Sequence, residues 1–229
     1  MDIVSLVFFI AFYGCAGVFI VGLAARIWRY ARTPAPLKIP TMPAPRTHLG
    51  VCWRLSKELL FFESLFKASK WTWLFGWVFH AALCVVLLKH LRYFTEPIWQ
   101  PVIAIQGFAS GAAIAMAVAL LGLWLRRVLV DRVRYISTLS DHLMLALLLA
   151  ICASGLVMRY VAPPNIGGLT TFTLGLVEFE PKALPGDAWL ILHLLLVLLL
   201  IAVFPFSKLV HAPALLFSPT RYQKDDGRH

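Results

Sequence analysis

Residues 74–92 read LFGWVFHAALCVVLLKHLR, and they set two histidines, His80 and His90, in a run apolar enough to cross a membrane. Roughly 20 helical residues, at about 1.5 Å of rise each, cross a hydrocarbon layer about 30 Å thick. An imidazole inside such a layer costs free energy unless its polar nitrogens are satisfied. The stretch therefore predicts a transmembrane helix, and it demands a reason for histidine within one.

The rest of the chain repeats the pattern. Of 229 residues, 60% are hydrophobic and only 14% are charged, and the mean hydropathy is +0.80. A soluble globular domain needs a far more polar surface. Windows without any charge run over 3–25, 71–88, 97–125, 143–158 and 188–207. They predict an all-α integral membrane protein, a bundle of five transmembrane helices forming one membrane domain over 1–229. The fourth window is short and borrows Ser140 and His142 at one end and Arg159 at the other. No basic segment precedes the first run, which reads as a retained helix rather than a signal peptide.

The net charge of +10 has a topological explanation. With the N-terminus outside, the internal segments 26–70, 126–137 and the tail 208–229 hold nine, four and four Lys or Arg residues. The external side holds four, Lys89, Arg92, Arg159 and Lys182. This positive-inside bias predicts an outside N-terminus and a cytoplasmic C-terminus, and it removes the need for a nucleic-acid partner. The same charge attracts anionic lipid or an acidic partner subunit. Cys15, Cys52, Cys84 and Cys152 lack the spacing of an iron–sulfur or zinc site.

Between the first two helices, Pro34, Pro36, Pro40, Pro43 and Pro45 forbid a continuous helix. Residues 53–70 then mix Leu55, Leu59, Leu60, Phe62 and Phe66 with Lys, Glu and Ser, as in an amphipathic helix at the inner interface or against a cytoplasmic partner. Gly107, Gly111 and Gly122 among alanines predict close packing of the third helix. Thr138 and Asp141 form a capping-box pattern before the fourth. Residues 160–187, rich in Gly and Pro, read as an external loop lying over the bundle as a lid.

The histidines carry the chemistry. Helix two runs outward and helix five inward, so His90 and His193 share the outer level while His80 and His211 lie deeper. Two cross-helix pairs result, each able to give one haem iron two axial nitrogens. Eighteen helical residues put His193 and His211 on one face, about 27 Å apart, whereas ten leave His80 and His90 about 15 Å apart and roughly 80° out of phase. Pro205 is placed to bend the longer interval. His142, beside Asp141, reads as a satisfied interfacial residue, and His48 and His229 as loop and tail residues without chemistry.

With these residues in place, the chain resembles the gamma subunit of respiratory nitrate reductase and the membrane cytochromes b that work with heterodisulfide-reductase-like iron–sulfur proteins. The histidine pairs ten and eighteen residues apart carry the resemblance, with FPFSKLVHAP at 204–213 and FSPTR at 217–221. RYISTLSDH at 134–142 leans towards the branch associated with sulfite reduction, hence with sulfur metabolism and anaerobic respiration. The resemblance implies two haems b, one held by His80 and His211 and one by His90 and His193. It further implies an exchangeable quinone, menaquinone first, at the outer side and an iron–sulfur subunit at the cytoplasmic side, with further membrane and periplasmic electron-transfer subunits beyond. The nitrate reductase subunit also carries a lysine on helix three near its quinone, and the equivalent region here, around Ser110, has none.

The expected function is thus electron transfer between quinol and an iron–sulfur partner, as a subunit of a quinone-linked oxidoreductase complex in the cytoplasmic membrane. No residue is expected to be catalytic. Lys89, Arg92, Tyr93, Gln106 and Arg159 are the candidate contacts to a quinone or to haem propionates. A transporter or proton conduit built on the buried histidines is the rival reading, but it wants acidic residues or broken helices along a path. A purely structural anchor is the other.

Overall fold

In a membrane interior the backbone N–H and C=O groups find no water, so each apolar run must satisfy them within itself, as a helix. The computed structural model describes residues 2–35, 37 and 39–225. Pro36 and Lys38 of the proline-rich stretch, and residues 226–229 of the tail including His229, lie outside the described residues. Among the described residues the chain is all α. In order come α1 (Ile3–Arg32), α2 (His48–Phe61), α3 (Glu63–Ala68), α4 (Lys70–His90), α5 (Gln100–Ile105) and α6 (Ala109–Leu129). They are followed by α7 (Asp131–Ile136), α8 (Leu139–Tyr160), α9 (Ile166–Glu178), α10 (Ala188–Val203), α11 (Ala212–Leu216) and α12 (Pro219–Tyr222).

Five helices, α1, α4, α6, α8 and α10, are long and apolar enough to cross a membrane, consistent with a five-span bundle. Short 3-10 turns, Leu91–Tyr93 and Phe204–Phe206, extend α4 and α10. The third span begins at Ala109, later than its uncharged window: Pro101 opens the separate short helix α5, and a turn at 106–108 divides it from α6.

The chain falls into two compact units. The first joins the residues up to Ala16 to Phe75–Ala202. One of its apolar clusters gathers Phe79 and Ala82 of α4, Met116, Ala119 and Leu120 of α6 and Cys152 of α8. Lipid tails are as apolar as leucine, so close van der Waals approach has to hold such helices together. Gly122 shows it: a Cβ there would lie 2.7 Å from the Phe75 ring, so α4 and α6 approach through a bare backbone. Gly107 and Gly111, expected to pack likewise, face open space. At the start of α8, Asp141 accepts from the Thr138 N–H at 2.9 Å, completing the capping box.

The second cluster includes a helix, α9, within the segment 160–187 read as an external loop. Leu169, Phe172 and Leu176 of α9 pack with Phe8, Leu184 and Leu190, a helical spacing that buries one face. Pro163, Pro164, Gly167 and Gly168 lie before or in the first turn of α9 rather than interrupting it. The Asn165 side chain caps α9 by accepting from Gly168 N–H at 3.0 Å. Phe179, with φ of 62°, ends it, folding the Glu180 carbonyl to 2.4 Å from where a Cβ on Gly175 would stand. Only glycine fits there. Tyr13 donates to the Leu176 carbonyl at 2.5 Å, and the buried Ser5 hydroxyl accepts from Leu184 N–H at 2.9 Å. Both pin this segment to α1.

The second unit joins Gly17–Leu74 to the chain from Val203 onward. The amphipathic segment expected as one helix over 53–70 starts earlier, at His48, and breaks at Phe62, whose left-handed φ of 51° separates α2 from α3. The tail is built into this unit. Thr41 N–H donates to the Thr220 carbonyl and Asp225 N–H to the Pro45 carbonyl, both at 2.9 Å, so that the tail pairs with the proline-rich loop. Arg26 Nε donates to the Pro205 carbonyl at 3.3 Å. Pro205 cannot donate to a helical ladder, and α10 ends at Val203. His193 and His211 therefore do not lie on one continuous helix, and the five-turn spacing does not apply; His211 sits in a turn that leads into α11.

Candidate functional site

His90 lies in the last turn of α4 and His193 in the first half of α10, and the first unit brings them together. Their ring centroids are 6.4 Å apart and their planes lie within 11° of parallel. The Nδ1 of His90 is 2.6 Å from the Val86 carbonyl. A carbonyl carries no proton, so the bond assigns hydrogen to Nδ1 and leaves the Nε2 lone pair unprotonated in the neutral ring. His193 reaches the same state through a side chain. Its Nδ1 is 2.9 Å from the Ser154 hydroxyl, which donates its own proton to the Ile151 carbonyl at 2.9 Å and so accepts from the imidazole. Gly155, next along α8, would place a Cβ 3.5 Å from His193 Cε1, so α8 also supports the ring by contact.

The pair offers a metal two imidazole nitrogens, the Nε2 of each ring being the one left unprotonated. A ligating histidine commonly commits its other nitrogen to a protein acceptor, which fixes the tautomer and raises ligand basicity. His80 is held in the same manner, with Nδ1 2.7 Å from the Gly76 carbonyl one turn back on α4. His211 belongs to the second unit, with Val210 beside it 4% exposed.

The other candidate contacts divide into two linked groups at the His90 end of α4. Arg92 Nη1 donates to Gln106 Oε1 at 3.2 Å, and its guanidinium lies 5.6 Å from the Tyr93 ring centre. Arg159 Nε donates to the Ser110 hydroxyl at 3.2 Å. A cation of α8 thus stands beside Ser110 of α6. Lys89 is half-buried on α4. Beyond the spans, Glu180 holds the Lys182 ammonium at 2.5 Å, raising its pKa and lowering that of the carboxyl.

Two residues of this site escaped the reading of the sequence. Ser154 is 3% exposed, and its signal was only that of a hydroxyl in an apolar run. Thr173 of α9 donates to the Tyr93 carbonyl, tying the turn after His90 to α9. His142 accepts from Trp124 Nε1 at 3.1 Å, as suits a satisfied residue.

The profile of the nitrate reductase gamma subunit family matches residues 49–226. The chain is also similar to the Hdr-like menaquinol oxidoreductase cytochrome b-like subunit of Archaeoglobus fulgidus, at 34% identity over 94% of this chain and 79% of the relative. It is similar to the protein of the same description from Archaeoglobus profundus, at 31% identity over 97% of this chain and 80% of the relative.

Proposed function

The chain belongs to the nitrate reductase gamma subunit family, and from that premise we propose that it is a dihaem cytochrome b subunit carrying electrons from menaquinol to a cytoplasmic iron–sulfur subunit. Its quinone-linked electron-transfer role and its place as a multi-pass inner-membrane protein are the ground of this reading. The observation that carries the finer statement is the pair His90 and His193, parallel and 6.4 Å apart with each Nδ1 committed to a protein acceptor. His80 and His211 are proposed as the second axial pair. When bound, haem supplies one-electron chemistry that no side chain of this protein offers.

The chain's own groups have three tasks. The acceptors Val86 O and Ser154 Oγ hold the imidazoles in one tautomer and orientation. The pairs Arg92–Gln106 and Arg159–Ser110 offer convergent donors to a quinone carbonyl or a propionate, Arg159 serving where the family's nitrate reductase subunit has its helix-three lysine. The bias of basic residues supports an outside N-terminus, which puts this cluster at the outer surface, where oxidation of quinol releases its two protons. On the opposite side, Tyr135 and Ile136 are 92% and 68% exposed beside Arg132 and Arg134, a mixed apolar and basic surface suited to an acidic iron–sulfur subunit.

The test is the purified protein's haem content by pyridine haemochrome, followed by stopped-flow reduction with a menaquinol analogue. Two haems per chain, reduced rapidly and blocked by a competing quinone-site inhibitor, is the expected result. A folded protein free of haem sinks the reading, and full haem that no quinol reduces leaves only an anchor.

A further inference from the structure

The second unit holds an open cavity of about 620 Å³ between the proline-rich loop, α2, α3 and the tail. Among the described residues four cations line it, Arg54, Lys57, Lys67 and Arg221, against two carboxylates, Glu58 and Glu63. Both carboxylates are engaged. Glu63 is 2.7 Å from Lys57 Nζ and 2.7 Å from Lys67 Nζ. Glu58 lies 3.7 Å from Arg221 and accepts from the Ser64 hydroxyl and amide. Among the described residues Arg54 has no acid partner. Its Nη2 donates to the Thr41 carbonyl at 2.7 Å, and its Nη1 is buried without any acceptor among the described residues. A buried charged nitrogen without a partner is strongly unfavourable, and a surplus of two positive charges calls for an anion rather than a neutral acceptor.

The surroundings narrow the anion. Leu49, Trp53 and Leu60 of α2 are 83%, 66% and 60% exposed, and their spacing sets them on one helical face. Trp53 also lines the cavity, so the apolar stripe and the cationic pocket adjoin. α3 is followed directly by α4, one of the five spans. A helix with an apolar stripe, a basic pocket and a membrane span beginning within a few residues has the layout of an interfacial element. We propose that this cavity binds the phosphodiester headgroup of an anionic membrane lipid, with Arg54 as its principal contact and Lys57, Lys67 and Arg221 around it. The volume exceeds that of a bare phosphate and accommodates its ester substituents.

The shared chemistry, a phosphate ester, has two sources, and the experiment separates them. Delipidated full-length protein in neutral detergent is titrated with phosphatidylglycerol, phosphatidylcholine and glycerol 1-phosphate, and bound ligand is counted by native mass spectrometry. The wild type is compared with Arg54→Gln, with Lys67→Glu as a second variant whose side chain is exposed at the rim, and with Lys182→Gln as a control outside the cavity. Phosphatidylglycerol is expected to bind about five- to tenfold more weakly to the first two variants and unchanged to the control, with phosphatidylcholine failing to compete. Equal affinity and equal variant sensitivity for glycerol 1-phosphate would retain the site but assign it to a soluble phosphate ester. Phosphatidylglycerol binding within twofold of wild type in both variants overturns the proposal, since the cavity then holds only water. Loss of a co-purifying acidic subunit from Arg54→Gln, with lipid binding unchanged, overturns it in favour of a protein carboxylate.

Discussion

The Ser154 hydroxyl stands 2.9 Å from Nδ1 of His193 while giving its own proton to the Ile151 carbonyl. His90 leans on a backbone carbonyl of its own helix, so the two members of one pair are held by unlike acceptors, and only that of His193 can be removed by substitution. Without it, the imidazole loses its side-chain acceptor and becomes a weaker donor to iron. Ser154→Ala should raise the midpoint potential of one haem by about 40 mV, the one-electron equivalent of about 1 kcal/mol. Ser154→Thr should restore it. Redox titration reads both, and an unchanged potential in Ser154→Ala would remove Ser154 from the tuning of the pair.

Single replacements of His80, His90, His193 and His211 should sort into two spectral classes, each variant losing about half of the haem signal. His90 and His193 variants are expected to share one missing component, and His80 and His211 variants the other. Low-temperature difference spectra check the grouping. Should His90 and His80 variants lose the same component, the pairing is wrong.

Arg159 is expected to matter for quinol and not for folding, because it is exposed and bonds only a hydroxyl in the described structure. Arg159→Gln should slow haem reduction by quinol about 10- to 100-fold, the loss of one charged hydrogen bond, at constant haem content. Adding Ser110→Lys, which returns a cation to α6 itself, should recover much of the rate. Stopped-flow traces at saturating quinol decide it; a rate indifferent to both changes would move the quinone elsewhere.

Glu63 lies between Lys57 and Lys67, whose ammonium groups hold its pKa at about 2 instead of 4.5. A depressed carboxylate contributes stability above its unfolded pKa and loses it as pH falls through the folded one. The difference in melting temperature between wild type and Glu63→Gln should therefore be small and constant near neutrality. It should shrink between pH 4.5 and about 2 and vanish below, as thermal melts across that window would show. A difference that grows on acidification contradicts the ion-pair assignment.

Arg132→Glu with Arg134→Glu should release the iron–sulfur partner while leaving both haem spectra intact, since these side chains are exposed beside Tyr135 and Ile136. Pull-down stoichiometry at two salt concentrations measures it, with wild-type binding weakening as salt rises. Full retention of the partner in the double variant argues for another docking surface.

The five spans were legible because length and the absence of charge are enough to predict a helix in lipid. The shared level of His90 and His193 followed from where each falls in its run, with no knowledge of packing. What surrounds them was not legible. Ser154 looked like an incidental small residue, since its partner is 39 positions away on another helix. α9 was hidden because Pro163, Pro164, Gly167 and Gly168 were counted as interruptions of 160–187, whereas they crowd its beginning and leave Leu169 to Leu176 regular. The break at Phe62 had no sequence signal at all, because a left-handed aromatic residue is held by its surroundings rather than by its own preference. The fifth run misled in the opposite direction: its apolar composition continues past Val203, but Pro205 stops the helix before His211.

The pairing of the tail with the proline-rich loop bears on how the protein is made. Gln223 donates to the Leu37 carbonyl across 186 residues of sequence, and Asp225 closes onto Pro45. Every span emerges from the ribosome before that junction can form, so a chain stopped anywhere between Val203 and Thr220 is fully inserted yet leaves the loop carbonyls and amides unmatched. Closure of the second unit thereby waits on synthesis of the tail, whatever the state of the spans.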